Sequence, residues 1–239
     1  MKRIKKIIIL SCLLSMTLPL FASFEVGLAV GFDNSHILTS SSYYYEHQYY
    51  AENGFSISIP FQYNLRDNFS IRAEVNYLSK NYLHNTYQKT LSKNTDEYCY
   101  NGFIEVPFML QISSDPLDLG INWFMNAGCY LDIWLTRHHK GTTFDIFEID
   151  YYSDGSPNYI DLPTFDTDVA FVSLVDNRLQ VGLLVGTGFD YQITEKVKVF
   201  TEVRYLYSLS GLTKDSSQKD LYNKYNRTIV CQLGAMYCF

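Results

Sequence analysis

The sequence predicts an all-β chain, an eight-stranded antiparallel transmembrane β-barrel with long extracellular loops and short periplasmic turns. Three observations predict it. Eight segments alternate an apolar face with a polar or small one, at the two-residue period of a strand. The connections between them alternate between short and long. The last eight residues, Gln232-Leu233-Gly234-Ala235-Met236-Tyr237-Cys238-Phe239, alternate in the same way and finish on an aromatic ring.

The N-terminus reads as an export signal over residues 1–22, which leaves 23–239 as the barrel domain. Met1-Lys2-Arg3-Ile4-Lys5-Lys6 is a basic start, Ile7 to Phe21 is an apolar run, and Ala22 is a small residue at the expected cut. Pro19 and the shortness of the run argue against a membrane-spanning helix. Losing the four cations of the signal takes the formal charge from −6 to −10. So acidic a chain excludes nucleic acid as an expected partner. Tyrosine alone numbers 21 and 16% of residues are aromatic, which suits strands in a membrane better than helices.

Taken in order, the first strand sets Phe24, Val26, Leu28, Val30 and Phe32 against Glu25, Gly27, Ala29, Gly31 and Asp33. The second sets Phe55, Ile57, Ile59, Phe61 and Tyr63 against Ser56, Ser58, Pro60, Gln62 and Asn64. Leu65-Arg66-Asp67-Asn68 then turns the chain. On the third, Phe69, Ile71, Ala73, Val75 and Tyr77 face out, with Arg72, Glu74 and Asn76 inside. The fourth opposes Tyr100, Ile104, Val106, Phe108, Leu110 and Ile112 to Asn101, Glu105, Pro107 and Gln111, and a bulge is expected at Pro107. The fifth runs from about Leu119 to Leu135, with Asn122, Asn126, Gly128 and Asp132 inward. Strand six, Leu179 to Tyr191, places Gln180, Gly182, Gly186, Gly188 and Asp190 inward. Strand seven, Val197 to Tyr207, does the same with Lys198, Glu202 and Arg204, and Arg227 to Phe239 is the eighth.

Alternation alone does not say which face is inside. The inward set Arg72, Glu74, Glu105, Glu202 and Arg204 decides it, because the opposite arrangement would turn five charges toward lipid. Short turns near Asp67, Asp115 and Glu195 belong on the periplasmic side. The long polar segments Asn34 to Asn53, Ser79 to Glu97, Thr136 to Asn177 and Ser210 to Asn226 belong outside, and an even strand number puts both termini in the periplasm. A hairpin from Phe144 to Tyr152 and Phe165 to Val175 would make ten strands, but it would turn Asp145 toward lipid. An extension of the sheet above the membrane is preferred.

The chain resembles the small porin-like outer-membrane β-barrel proteins, of the OmpA/OmpX-like eight-stranded kind. The resemblance is carried by Phe103-Ile104-Glu105-Val106-Pro107-Phe108, Asn126-Ala127-Gly128-Cys129-Tyr130-Leu131, Val181 to Phe189, Glu202-Val203-Arg204-Tyr205 and the closing octet. It implies an outer-membrane location, no assigned chemistry, and barrel assembly machinery as a partner. In the octet, Gln232, Gly234, Tyr237 and Phe239 hold the positions of the assembly signal.

The inward charges allow two readings, a gate or a paired plug. The interior of an eight-stranded barrel has room for little beyond its own side chains, which favours the plug. Tyr43, Tyr44, Tyr45, Tyr49 and Tyr50, with His47 among them, form a loop cluster suited either to contacting an external protein or host ligand or to packing at the lipid interface. His138-His139 with Asp145 and Glu148 are metal-ligand types. Adjacent histidines point apart on a strand, and no His-x-His or His-x₃-His spacing is present, so neither metal nor cofactor is expected. The acidic third loop, from Asp145 to Asp176, reads as a solvated loop.

No catalytic motif is found, and nothing in the spacing singles out His84, His138 or His139, so an enzyme is not expected. Cys99, Cys129, Cys231 and Cys238 remain after the signal. The strand faces keep them apart, which predicts free thiols or intermolecular links. The function expected is a monomeric outer-membrane barrel with a filled lumen, surrounded by outer-membrane lipid and acting through its outer loops. A narrow conduit along Asn101, Asn122, Asn126 and Gln180, or a lipid-modifying enzyme, are the alternatives.

Overall fold

The computed structural model describes residues 23–39, 45–66, 68–88, 93–114, 120–143, 150–151, 153, 157–158, 163–214 and 224–239. The signal segment, Tyr43, Tyr44, Asp145, Glu148 and the turns at Asp67 and Asp115 lie outside the described residues. The elements are all strands: β1 (Phe24–Leu38), β2 (Tyr45–Arg66), β3 (Phe69–Ser79), β4 (Tyr82–Gln88), β5 (Lys93–Ser113), β6 (Ile121–Thr142), β7 (Asp150–Tyr151), β8 (Pro157–Asn158), β9 (Thr164–Asp168), β10 (Leu179–Thr194), β11 (Val197–Ser208) and β12 (Tyr225–Cys238).

Eight of these close a ring of antiparallel pairs, β1-β2-β3-β5-β6-β10-β11-β12 and back to β1. Closure pairs the backbone around the wall and leaves the ring no open edge, which is what a sheet in hydrocarbon requires. The last pairing joins the two ends of the chain, with Val26 opposite Tyr237 and Val30 opposite Leu233. Among the described residues the third long segment adds no wall strand: β9 pairs with the far end of β6, from His138 to Thr142. The ring therefore has eight strands, and β9 extends the sheet beyond it.

Outward residues form a belt: Leu28 is 65% exposed, Leu183 50% and Leu233 62%. On β5 the belt begins at Tyr100 and ends at Ile112, and on β6 it runs from Trp123 to Leu135. Beyond it, at the end with the long connections, the wall continues. Here the structure corrects the sequence reading of loops. Much of Asn34 to Asn53 and Ser79 to Glu97 is strand: β1 continues to Leu38, β2 starts at Tyr45, and β4 inserts between β2 and β5. Above the belt the outer face meets water, so the apolar alternation stops while the backbone ladder does not.

The inner face is not uniformly polar. Phe124 and Phe200 pack with Ala29 and Met236 toward the short-turn end. Leu78, Met109, Tyr130, Leu184, Leu206 and Val230 form a second apolar layer. A third gathers Ile37, Tyr82, Cys99, Phe103, Trp134 and Leu212 at the top of the belt. Glycines make room for the large rings. A Cβ on Gly182 would come within 2.2 Å of the Tyr130 ring. The irregularity expected at Pro107 takes a different form. The register shift against β6 falls between Gly102 and Phe103, while against β3 the pairing skips from Ala73–Phe108 to Asn76–Glu105, around the residue that lacks an N–H.

Candidate functional site

Two regions hold the polar chemistry. The first lies inside the belt, at the level of the middle of β3 and β11. Strand alternation aims Arg72 and Glu74 inward from β3, and Glu202 and Arg204 inward from β11. Arg204 grips Glu74 with both terminal nitrogens, at 2.6 and 2.5 Å, and reaches Glu202 through Nε at 2.5 Å. Arg72 lies 2.6 Å from Glu74 and 3.3 Å from Glu202, with its guanidinium over the Phe200 ring at 4.6 Å. Asn126 and Gln232 donate to Glu202 at 2.6 and 2.9 Å. All four charged residues are buried. Two cations and two anions cancel, and the surrounding amides fill remaining acceptor positions, which is the condition for burying charges at all.

Glu105 does not join this group. It belongs to a separate layer nearer the long-connection end, where Lys80 donates to Asp132 at 2.6 Å and to Glu105 at 3.3 Å beneath the Tyr130 ring, 4.8 Å away. Asn76 donates to Glu105 at 3.3 Å. The sequence reading missed Lys80, because it stands where the loop starting at Ser79 was expected. The chain's return into β4 turns its ammonium inward. A third polar layer lies toward the short turns: Lys198 meets Glu25 at 2.6 Å, Asn64 donates to Glu25 at 2.7 Å, and Asn122 donates to Asp190 at 2.8 Å. The amides considered as a conduit are therefore engaged within the wall or its plug. Gln180 donates to the Asn177 carbonyl, and Asn101 to the Lys80 carbonyl, both at 3.1 Å.

The second region is a chamber above the belt, walled by β2, β4, β5 and β6. Tyr49 points into it and stacks on His84 with ring centroids 4.6 Å apart, so this member of the tyrosine cluster is an inner-wall residue. Tyr50 points out and donates to Gln48. Of Tyr45 only the backbone is described, at the start of β2. His84 and His139 contact Glu97 from opposite sides, at 3.0 and 2.7 Å, and His47 Nδ1 lies 2.9 Å from His84 Nε2. Burial alone would raise the Glu97 carboxyl, but hydrogen bonds from His139 and His84 outweigh it and hold the group well below the usual carboxylate range. Burial, followed by the neighbouring His84 and Lys224, lowers His47.

His138 faces the other way. It contacts Asp168 and Asp166 of β9 at 2.8 Å each, and these carboxylates raise its pKa. The two histidines thus separate across the wall, and the sequence reading missed that His139 meets Glu97, which His84 also contacts, with His47 against His84 in turn. No local spacing carries that signal. Two cavities of about 310 and 320 Å³ open on this region. One is lined by Thr86, Thr95, Glu97 and Phe165, the other by Tyr82, His84, His139 and Lys224, and His47 lines both.

All four thiols are free, with Cys129 and Cys231 exposed on the belt, Cys99 buried and Cys238 half-buried. In the closing octet, Gln232 is held in the lumen by Glu202. A Cβ on Gly234 would come within 2.6 Å of the Phe200 ring, while Tyr237 and Phe239 are exposed with their rings edge to face at 5.0 Å.

A closed eight-stranded wall with an apolar outside and a charge-paired inside defines an outer-membrane β-barrel. The family described as outer membrane protein beta-barrel domain matches residues 16–214, and the chain belongs to that family. No curated protein sequence matches it. Among solved structures it is similar to Neisserial surface protein A, at 18% identity and a TM-score of 0.44, with 91% of this chain and 99% of that one covered. It is similar also to OprG from Pseudomonas aeruginosa, at 12% identity and a TM-score of 0.45, covering 91% and 95%. Ail of Yersinia pestis, solved with the heparin analogue sucrose octasulfate, is 11% identical with a TM-score of 0.38, covering 90% and 99%.

Proposed function

We propose that this outer-membrane protein acts at the cell surface through the end of the barrel that carries the long connections, and that its lumen is a structural plug. The single observation that carries the reading is the occupation of the lumen. Charge-paired layers at Glu25–Lys198, at Arg72–Glu74–Glu202–Arg204 and at Lys80–Glu105–Asp132 alternate with apolar layers built on Phe124, Tyr130 and Trp134. Such an interior holds side chains instead of water. The polar groups facing open space lie beyond the belt. In this orientation the long connections face outside and both termini lie in the periplasm, as the short turns at their end of the barrel suggest.

Planar-bilayer recording of the refolded protein tests the reading. The expected result is no steady conductance, and a steady, sizeable current would overturn it. Gln232, Gly234, Tyr237 and Phe239 are proposed to serve as the signal read by the assembly machinery. Deleting Phe239 should then lower the amount of barrel in the outer membrane without lowering refolding yield from denaturant, and an equal loss in both would mean that the residue only stabilises the fold.

A further inference from the structure

The chamber above the belt contains a constellation that neither the plug nor a contact surface needs. Glu97 and Cys99 project inward from β5, and His139 projects inward directly opposite Cys99 on β6. A carboxylate oxygen, the thiol sulfur and an imidazole nitrogen of these three residues all lie within 4.8 Å of one another. Cys99 is buried, the other two half-buried. His139 Nε2 is itself buried and finds no hydrogen-bond partner among the described residues, although Nδ1 is held by Glu97 at 2.7 Å. The Glu97 carboxylate and the Nδ1 of His139 already face each other, and a cation entering between them would take up both groups in place of their hydrogen bond. His84 fixes Glu97 from the far side at 3.0 Å, so the carboxylate cannot swing away without losing a second partner.

We propose that Glu97, Cys99 and His139 bind a divalent transition-metal cation of the zinc type, with the fourth coordination position open to the chamber. The donor set decides the class. One sulfur, one nitrogen and one oxygen suit a borderline-soft ion, and calcium or magnesium would require oxygens that are absent from the three. Around tetrahedral zinc, ligand atoms stand roughly 3.3 to 3.8 Å apart, given bond lengths of about 2.0 to 2.3 Å. The donors therefore shift by up to about 1.5 Å where they stand widest apart, and the Glu97–His139 Nδ1 pair, at 2.7 Å, opens slightly, a side-chain adjustment on a fixed sheet. Uptake releases the Cys99 proton, and the bound thiolate and carboxylate neutralise the ion. The cavity of about 320 Å³ lined by His139, His84 and Lys224 supplies the open side, with Arg137 paired to Asp176 at 3.0 Å and so partly neutralised. The site goes beyond the surface role and does not depend on whether the lumen conducts.

The test uses the whole barrel refolded in detergent micelles, with folding verified by its heat-modifiable migration. Zinc is titrated in competition with a chromophoric chelator, and cobalt(II) is added separately to report ligand type by its absorption. One equivalent of zinc should bind, with a cobalt–thiolate charge-transfer band. Cys99→Ser should abolish that band, and His139→Ala should weaken zinc by about tenfold to a hundredfold or more. His138→Ala, which alters the neighbouring residue on the outer face, should leave both unchanged. If a variant fails to fold, the native chain carries the test alone: cobalt should give the thiolate band at one equivalent, and excess zinc should bleach it. Absence of stoichiometric binding, a cobalt spectrum without thiolate, or affinity that follows His138 instead of His139 would each overturn the proposal.

Discussion

The lumen inside the belt and the chamber above it are built from the same eight-stranded wall, yet they treat charge in opposite ways. In the lumen every charged group of the middle layer is matched: Arg204 alone makes contacts of 2.5 to 2.8 Å with two carboxylates. In the chamber, Glu97 serves two histidines while His139 keeps an unsatisfied nitrogen, and cavities adjoin them. The difference teaches where function has room. A network whose charges cancel among packed side chains tolerates its own burial and leaves no space for a ligand, even where single atoms such as Arg72 Nη2 make no hydrogen bond among the described residues. A network that borders open cavities has capacity left over.

The strongest way to break the comparison is to remove one partner from the lumen network. Glu74→Ala leaves Arg204 and Arg72 facing only Glu202. Stranding a buried charge in this way is expected to cost about 3–5 kcal/mol, read as a shift in the urea midpoint of refolding into vesicles. The chamber counterpart, Glu97→Gln, removes a half-buried carboxylate whose histidines can turn to water, and should cost about 1 kcal/mol or less. Equal losses in the two variants would erase the distinction between the regions. A double replacement, Glu74→Leu with Arg204→Met, sharpens it further: removing both partners should recover most of the stability lost by Glu74→Ala.

A second effect comes from the outward face. Leu183 sits on β10 opposite Cys129, mid-belt, and is half exposed to what must be lipid. Leu183→Arg should destabilise the folded barrel by about 2–4 kcal/mol. His138→Arg, on the outer face of the same wall above the belt, should be close to neutral, because its side chain already lies among Asp166 and Asp168 in water. Comparable costs at both positions would mean that the belt extends higher than the exposed apolar residues indicate.

The wall of the belt was legible in the sequence because lipid imposes a strict rule on one face. Phe24 to Phe32, Phe55 to Tyr63 and Val197 to Tyr207 alternate without needing knowledge of their neighbours. The contents were less legible. Leu183-Leu184-Val185 and Tyr205-Leu206-Tyr207 are apolar on both faces, so the inward Leu184 and Leu206 carry no mark of their direction. Which inward charges meet depends on strand stagger: Glu105 shares a face with Arg72 and Glu74 but is set opposite Asp132, at another level. The chamber was least legible. Both its faces are polar, so the period that identifies a strand disappears, and its members come from β2, β4, β5 and β6. His84 and Glu97 are opposite only because the β4–β5 register makes them so.

Packing at the inner surface gives a third, smaller effect. Gly182 of β10 lies against Tyr130, whose ring occupies the space a methyl group would need: a Cβ would come within 2.2 Å of Cζ and 2.3 Å of Oη. Gly182→Ala should destabilise by about 1–3 kcal/mol through overpacking, measured as for the lumen variants. Truncating the ring in the same chain, with Tyr130→Ala, should make the two substitutions non-additive, since the second removes the obstacle to the first. Additive losses would show that the strain of the Gly182 methyl falls on the backbone instead.

The smallest effect on stability is expected from a residue whose influence is on the chamber. Lys224 places its ammonium 5.1 Å from the Tyr49 ring and 5.9 Å from the Tyr82 ring, and burial lowers its pKa. Lys224→Met keeps the apolar stem and removes the charge, so the barrel should lose only the ring contacts, about 0.5–1 kcal/mol. The same change should tighten zinc, because a cation lining the cavity beside His139 opposes the entry of another. Adding salt separates the two consequences. Screening should reduce the gain in zinc affinity while leaving the loss of aromatic packing in place. If Lys224→Met instead weakened zinc at every ionic strength, the lysine would be holding Tyr49 and His84 in position, and the chamber would share more of the lumen's interlocked character than its open cavities suggest.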